Sequence, residues 1–208
     1  MNEWTDAQVH EAGYWGNCWG PAAFGEIQKH NVYAREMGIT ETYADQWGEF
    51  NVLGKSILDI GCGPWSMLLR CYNAGRLVGV DPLQYPPSVV RRYRNYGIEF
   101  LNLPGEQIPP PEQQACFGYF DEVWIYNVLQ HVVDPQKVLQ NAIASAAKLR
   151  IIEWVNIPPH PGHPHMLTAE ALLQWLPGCK AERVETKLLS DPELLCTVEA
   201  FTGVFRCS

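Results

Sequence analysis

Ile57-Leu58-Asp59-Ile60-Gly61-Cys62-Gly63-Pro64 is an apolar run of strand length that stops on two glycines one residue apart. Without a β-carbon, glycine lets the backbone turn sharply and lie close against a ligand. Downstream, residues 77–80 form a second apolar run, closing on Asp81-Pro82. Between the two runs the pattern predicts a helix over about residues 64–75, stopped at Gly75. Asp81 follows Gly61 by 20 residues. An acid at the end of a second strand, at that distance from a glycine turn, can accept hydrogen bonds from both hydroxyls of a ribose. The ordinary alternatives are a plain tight turn for the glycines and a helix N-cap for Asp81.

Working outward, strands and helices keep alternating. Pro86-Pro87-Ser88 opens a helix that Gly97 stops, and residues 98–101 and 120–126 read as further strands. Asp134-Pro135 is a cap followed by a first-turn proline, for a helix running to about Ala147. Residues 149–155 form another strand, Thr168 caps a helix ending at Pro177-Gly178, and residues 181–189 and 195–206 can pair antiparallel. Such alternation predicts an α/β, Rossmann-like doubly wound fold: a mostly parallel seven-stranded sheet with a C-terminal antiparallel hairpin. Ligands of such sheets bind beyond the carboxyl ends of the strands. Residues 1–50 stand apart, with eight acidic and two basic residues and nine aromatic ones. Thr5 with Gln8 suggests a capping box, and Pro21 and Gly38 bracket a helix over 21–37. This segment is expected to be an N-terminal helical cap or lid on a domain spanning 51–208.

Composition narrows the partners. The chain has 208 residues, 47% hydrophobic and 18% charged, with a net charge of −8. That sign makes nucleic acid and anionic membranes unlikely partners. No apolar stretch reaches the roughly 18–20 residues of a membrane span. The acidic start lacks signal-peptide features, and the seven cysteines include no C-x-x-C pair, so a cytoplasmic location is expected.

A dinucleotide requires a third glycine where Ser66 stands, and no G-x-x-x-x-G-K-[ST] phosphate loop occurs. An adenosine ligand without phosphates fits better, S-adenosylmethionine being the obvious one. Residues 57–64 resemble the first motif of class I S-adenosylmethionine-dependent methyltransferases, and Gly79-Val80-Asp81 the second. Gly105-Glu106-Gln107-Ile108-Pro109 resembles their third motif, and Phe120-Asp121-Glu122-Val123 with residues 127–135 the fourth, in a form typical of small-molecule branches. Trp65, where many members carry a small residue, departs from the pattern.

The resemblance implies transfer of a methyl group to a small polar acceptor, at oxygen or nitrogen more than carbon, with S-adenosylhomocysteine as product. It implies that Asp59, Gly61, Cys62 and Gly63 line the methionine and ribose side, and that Asp81 holds the ribose. Leu83 would pack near adenine, Glu106 and Gln107 would lie at its edge, and Tyr126, Asn127 and Gln130 would face the methionine moiety or the acceptor. Neutral imidazole is a suitable base near pH 7. His165, then His131 and His163, are the candidate bases, against a purely structural loop and, for His131, a buried structural histidine. No metal site is expected, because H-x-x-H-x-H over 160–165 lacks a standard ligand spacing. Competing readings are a non-catalytic cofactor-binding scaffold, a nucleic-acid methyltransferase and a nicotinamide oxidoreductase. The acceptor and the oligomeric state are not readable.

Overall fold

A computed structural model describes residues 3–17, 21–39, 41–43, 49–109, 117–191 and 196–207. Residues 18–20 of the expected lid, 110–116 of a Pro- and Gln-rich loop and the hairpin turn at Pro192 lie outside them. In chain order the elements are α1 (Glu3–Asn17), α2 (Pro21–Glu36), β1 (Glu41–Tyr43), β2 (Glu49–Asn51), β3 (Ile57–Ile60), β4 (Cys71–Tyr72), β5 (Leu77–Val80), α3 (Pro87–Asn95) and β6 (Ile98–Leu101). They continue as β7 (Phe120–Tyr126), α4 (Pro135–Ser145), β8 (Ala146–Trp154), α5 (Ala169–Gln174), β9 (Lys180–Asp191) and β10 (Cys196–Arg206).

Seven strands lie in the order β6-β5-β3-β7-β8-β10-β9. The first five are parallel, and β10 runs antiparallel to both β8 and β9. From β3 the chain builds outward through β5 and β6, then returns to place β7 on the other side of β3. The two directions of winding part at the carboxyl ends of β3 and β7, which is where such sheets open a crevice. Every residue of β3 and β5 is buried, as central parallel strands require. One face packs Leu58, Ile60, Val123 and Ile125 against Val138, Leu139 and Leu172 of α4 and α5. The other packs Ile57, Trp124 and Ile152 against Val32, Tyr33, Val89 and Tyr93 of α2 and α3. The Asp134 side chain accepts from Lys137 N at 2.9 Å and the Thr168 hydroxyl from Ala171 N at 3.1 Å, capping α4 and α5 as their sequences predict. Among the described residues no helix is long and apolar enough to cross a membrane.

The helix expected over 64–75 does not form. A 3₁₀ turn, Met67–Arg70, leads straight into β4, which pairs in parallel with β2. The backbone N–H groups of Ser66 and Met67 donate instead to the phenols of Tyr93 and Tyr126, at 3.2 and 3.1 Å. Ser66 Oγ caps only as far as Leu68 N, and Asn73 turns the chain at φ +53°. Long-range hydrogen bonds therefore outcompete a weak local helix signal that begins on a proline. Nor does Thr5 cap α1, which starts at Glu3 and so includes Trp4. The β2–β4 pairing ties the N-terminal segment to the main sheet's first crossover.

Candidate active site

Glycine is required at Gly61. Its φ is +73°, and a β-carbon there would stand 2.5 Å from Val128 Cγ1. The sharp turn opens a crevice lined by Gly61 after β3, Asp81 and Leu83 after β5, Glu106 after β6, and Asn127, Val128 and His131 after β7. Helix α1 covers it with Trp4, Gln8, Glu11 and Trp15. With α1 seated, the remaining cavity is about 80 Å³. Trp15, not Trp65, lies over the glycine loop, 3.3 Å from the place of a Gly63 β-carbon. Trp65 instead carries the Arg92 guanidinium on its face, at 3.4 Å.

Asp81 is aimed by its neighbours. Gly63 N donates to Oδ2 at 3.0 Å, while Leu83 N and the Tyr85 hydroxyl donate to Oδ1 at 2.9 and 3.1 Å. Burial nevertheless raises its carboxyl to about 6. Glu106 Oε1 accepts from Val133 N and Asp134 N at 2.8 and 3.1 Å, and its buried Oε2 has no protein partner. Gln130 Nε2 donates to Asn127 Oδ1 at 2.6 Å and lies 3.4 Å from His131 Nε2. His131 Nδ1 donates to Gly162 O at 2.7 Å and stands 3.2 Å from Glu11 Oε1. Its Nε2 faces Gln130, and burial, with His163 beside it, lowers the imidazole's pKa to about 3.

Other predicted residues lie beneath or beside the crevice. Asp59 is fully buried, and its Oδ2 accepts from the hydroxyls of Ser66 and Tyr126, both at 2.5 Å. Burial raises it to about 7. The Cys62 side chain packs over Gly79 of β5, and burial pushes its thiol well above the usual range. Tyr126 and Gln130 are buried, and Gln107 is exposed on the turn after β6. His163 sits against His131 and His160, with ring centroids 4.5 and 4.1 Å apart. His165 is held outside the crevice, its Nε2 donating to Val132 O at 2.8 Å.

Two acids that shape the crevice receive no role of their own from the sequence. Glu11 is one acid among several in a segment without a motif. Glu153, an acid inside the apolar β8 run, accepts from Val128 N and Leu129 N at 2.9 and 3.1 Å and so shapes the turn after β7. Burial raises it to about 8. A charged residue in the middle of a buried strand was the available signal. Among the described residues no group of histidines, cysteines and acids is arranged to hold a metal.

Residues 58–145 match the family model described as "Methyltransferase domain". A ubiquinone biosynthesis O-methyltransferase of Pectobacterium carotovorum subsp. carotovorum (strain PC1) is 29% identical over 139 residues, covering 55% of this chain and 58% of its own. The chain thus spans little more than half the length of that relative. Among solved structures, the N-methyltransferase NodS of Bradyrhizobium japonicum WM9, in complex with S-adenosyl-L-homocysteine, superposes with a TM-score of 0.62 at 15% identity, covering 97% of this chain and 98% of its own. The [4+2]-cyclase SpnF superposes with a TM-score of 0.61 at 15% identity, covering 91% and 83%. Residues 58–145 thus match a methyltransferase domain, and the seven-stranded sheet that carries them shares the fold of the S-adenosylmethionine-dependent methyltransferases on which it superposes.

Proposed function

We propose that this chain transfers a methyl group from S-adenosylmethionine to an oxygen or nitrogen of a small, proton-bearing acceptor, and does so in the cytoplasm. The observation that supports this best is the crevice at the switch point. It presents Asp81 for a ribose, while the N–H groups of Ser66 and Met67, where a helix start would greet a phosphate, are already given to Tyr93 and Tyr126. The residues present fit the cofactor. An ionised carboxylate has about four acceptor sites; Asp81 uses three on protein donors and keeps one for a ribose hydroxyl. The unpartnered Glu106 Oε2 is open to a further donor, and Gly61 and Leu83 would lie against the nucleoside.

Bound there, the cofactor supplies a methyl group already activated for transfer. The chain's residues then have mainly to align the acceptor and exclude water. His131 acts as a positioning residue, since one ring nitrogen serves Gly162 and the other faces Gln130. His165 pins the loop after β8 to Val132. His163 keeps an unpartnered Nδ1 and is the remaining candidate base among the three. Residues 1–50 serve as a lid: a cavity of about 80 Å³ is well below the roughly 300 Å³ at which small-molecule sites begin, so α1 lifts to admit the cofactor.

At 100 times its dissociation constant, S-adenosylhomocysteine stabilises the fold by about 2.7 kcal/mol in a denaturation experiment, and NADH leaves it unchanged. The reverse pattern would end the cofactor reading. Asp81→Ala weakens S-adenosylhomocysteine by about 1–3 kcal/mol through a lost ribose hydrogen bond; equal affinity would place the ribose elsewhere. Because this fold also serves a cyclase, tight binding with no transfer to any acceptor would favour the second reading, a scaffold that retains the cofactor without using its methyl group.

A further inference from the structure

Three carboxyl side chains line the crevice, Glu11, Asp81 and Glu106, and its described lining includes no lysine or arginine. Its one histidine, His131, has its pKa lowered by burial. Two indoles, Trp4 and Trp15, face the same space as Glu11 from α1. Withdrawing a carboxylate from water without a counter-charge is unfavourable, and an entering cation offsets that cost. Indole faces attract cations, including those with no hydrogen on the charged atom to donate. An acid beside aromatic faces is the chemistry that recognises an onium ion. Glu11, Trp4 and Trp15 all precede residues 58–145, so the feature lies outside the matched methyltransferase domain.

Its place in the crevice suits the cofactor's geometry. Asp81 is close enough to Glu11 for its charge to disfavour a second negative one. Glu11, Trp4 and Trp15 line the same crevice as Asp81, and a ribose held by Asp81 would carry its sulfur one carbon from the sugar ring. We propose that Glu11, Trp4 and Trp15 form a cage selective for the sulfonium of S-adenosylmethionine over the neutral thioether of S-adenosylhomocysteine. The proposal rests on the methyltransferase reading above. It gives the crevice a preference for the charged reactant, so that loss of the methyl group loosens the product's hold.

Burial first, then Asp81, raises the Glu11 carboxyl to about 7. Cation binding and Glu11 ionisation therefore strengthen each other. The titratable groups facing Glu11 are His10 on its own helix, Glu26 of α2, Asp81 after β5 and His131 after β7, with His160 and His163 behind His131. Both ligands share these surroundings, so the ratio of their affinities isolates the sulfonium.

The test is calorimetric titration of the whole chain with S-adenosylmethionine and, separately, S-adenosylhomocysteine. Glu11→Gln keeps the size and polarity of the side chain but removes the charge. It weakens the sulfonium ligand roughly 10-fold and the thioether less than about twofold. Trp15→Leu shifts the ratio in the same direction. In the wild-type protein the preference for S-adenosylmethionine grows as pH rises from 5.5 to 8.5, a measurement that does not depend on any variant folding. Failure of the wild type to bind either ligand would overturn the methyltransferase reading itself. Binding of both with a pH-independent ratio, or equal losses in Glu11→Gln, overturns the cage alone.

Discussion

Gly61→Ala destabilises the protein by about 2–5 kcal/mol and abolishes tight S-adenosylhomocysteine binding. Two costs add. A non-glycine residue in the left-handed region loses roughly 1–2 kcal/mol, and Gly61 stands there at φ +73°. The new methyl group would also lie 2.5 and 2.6 Å from the two γ-carbons of Val128, which is itself buried. Relieving such an overlap costs roughly 1–3 kcal/mol of shifted packing. Val128 follows Asn127 and opens the turn that carries His131 to the crevice, so the strain moves the site as well as the fold. A double-mutant cycle separates the two costs. In a Val128→Ala background the same glycine substitution costs about 1–3 kcal/mol less, measured from urea midpoints. An identical cost in both backgrounds would show that the Val128 contact is not the cause.

The other large effect lies at the opposite end of the sheet. Glu122→Ala destabilises the fold by about 3–5 kcal/mol, because it removes the buried carboxylate and leaves the mostly covered Arg150 without its counter-charge. Glu122 accepts from Arg150 Nε at 2.7 Å, Arg150 Nη2 at 3.1 Å, Lys55 Nζ at 2.8 Å and Trp124 Nε1 at 2.9 Å. Arg150 in turn donates to Met37 O at 2.8 Å, so the cluster also anchors the end of α2. Burial alone would raise the Glu122 carboxyl, but the bonds and charge of Arg150, with Lys55 and Trp124, outweigh it and hold the group at about 2. A folded-state pKa below the ordinary glutamate value means stability that is present above about 4.5 and is lost as the pH falls toward 2. The stability gap between wild type and Glu122→Gln is therefore full at pH 7 and narrows between pH 4.5 and pH 2. A gap that stays constant over that range would show that the ion cluster does not set it. S-adenosylhomocysteine affinity per folded molecule stays unchanged in these variants, in contrast to Gly61→Ala, since Glu122 sits at the amino end of β7.

Local chemistry carried much of the fold. Asp134-Pro135 and Thr168 announce helix starts because a short polar side chain can take an orphan N–H a few residues on, and both do so. The alternation of buried runs and helices was enough for a doubly wound sheet, and the extended stretches after Gly178 for its antiparallel hairpin. The missing helix after Gly63 was not legible. Its N–H groups are claimed by Tyr93 and Tyr126, 27 and 59 residues away from the groups they bind, and no local pattern encodes such a partner. The small β1–β2–β4 sheet was hidden for the same reason, each of its strands being too short to show a period.

The crevice divides in a similar way. Gly61 and Asp81 could be read from sequence alone, because a strand that ends in a positive-φ turn and an acid at the end of the next strand are properties of short segments. Which acids and rings share that crevice was decided by the tertiary structure. Helix α1 brings Glu11 and Trp15 over a turn some fifty residues downstream, while Val132 draws His165 away from it. Backbone conformation follows largely from neighbours along the chain, so the sequence by itself determined the order of the seven main strands and the helix starts at Asp134 and Thr168. Charge, burial and hydrogen-bond partners follow from neighbours in space, and those exist only once the sheet has closed.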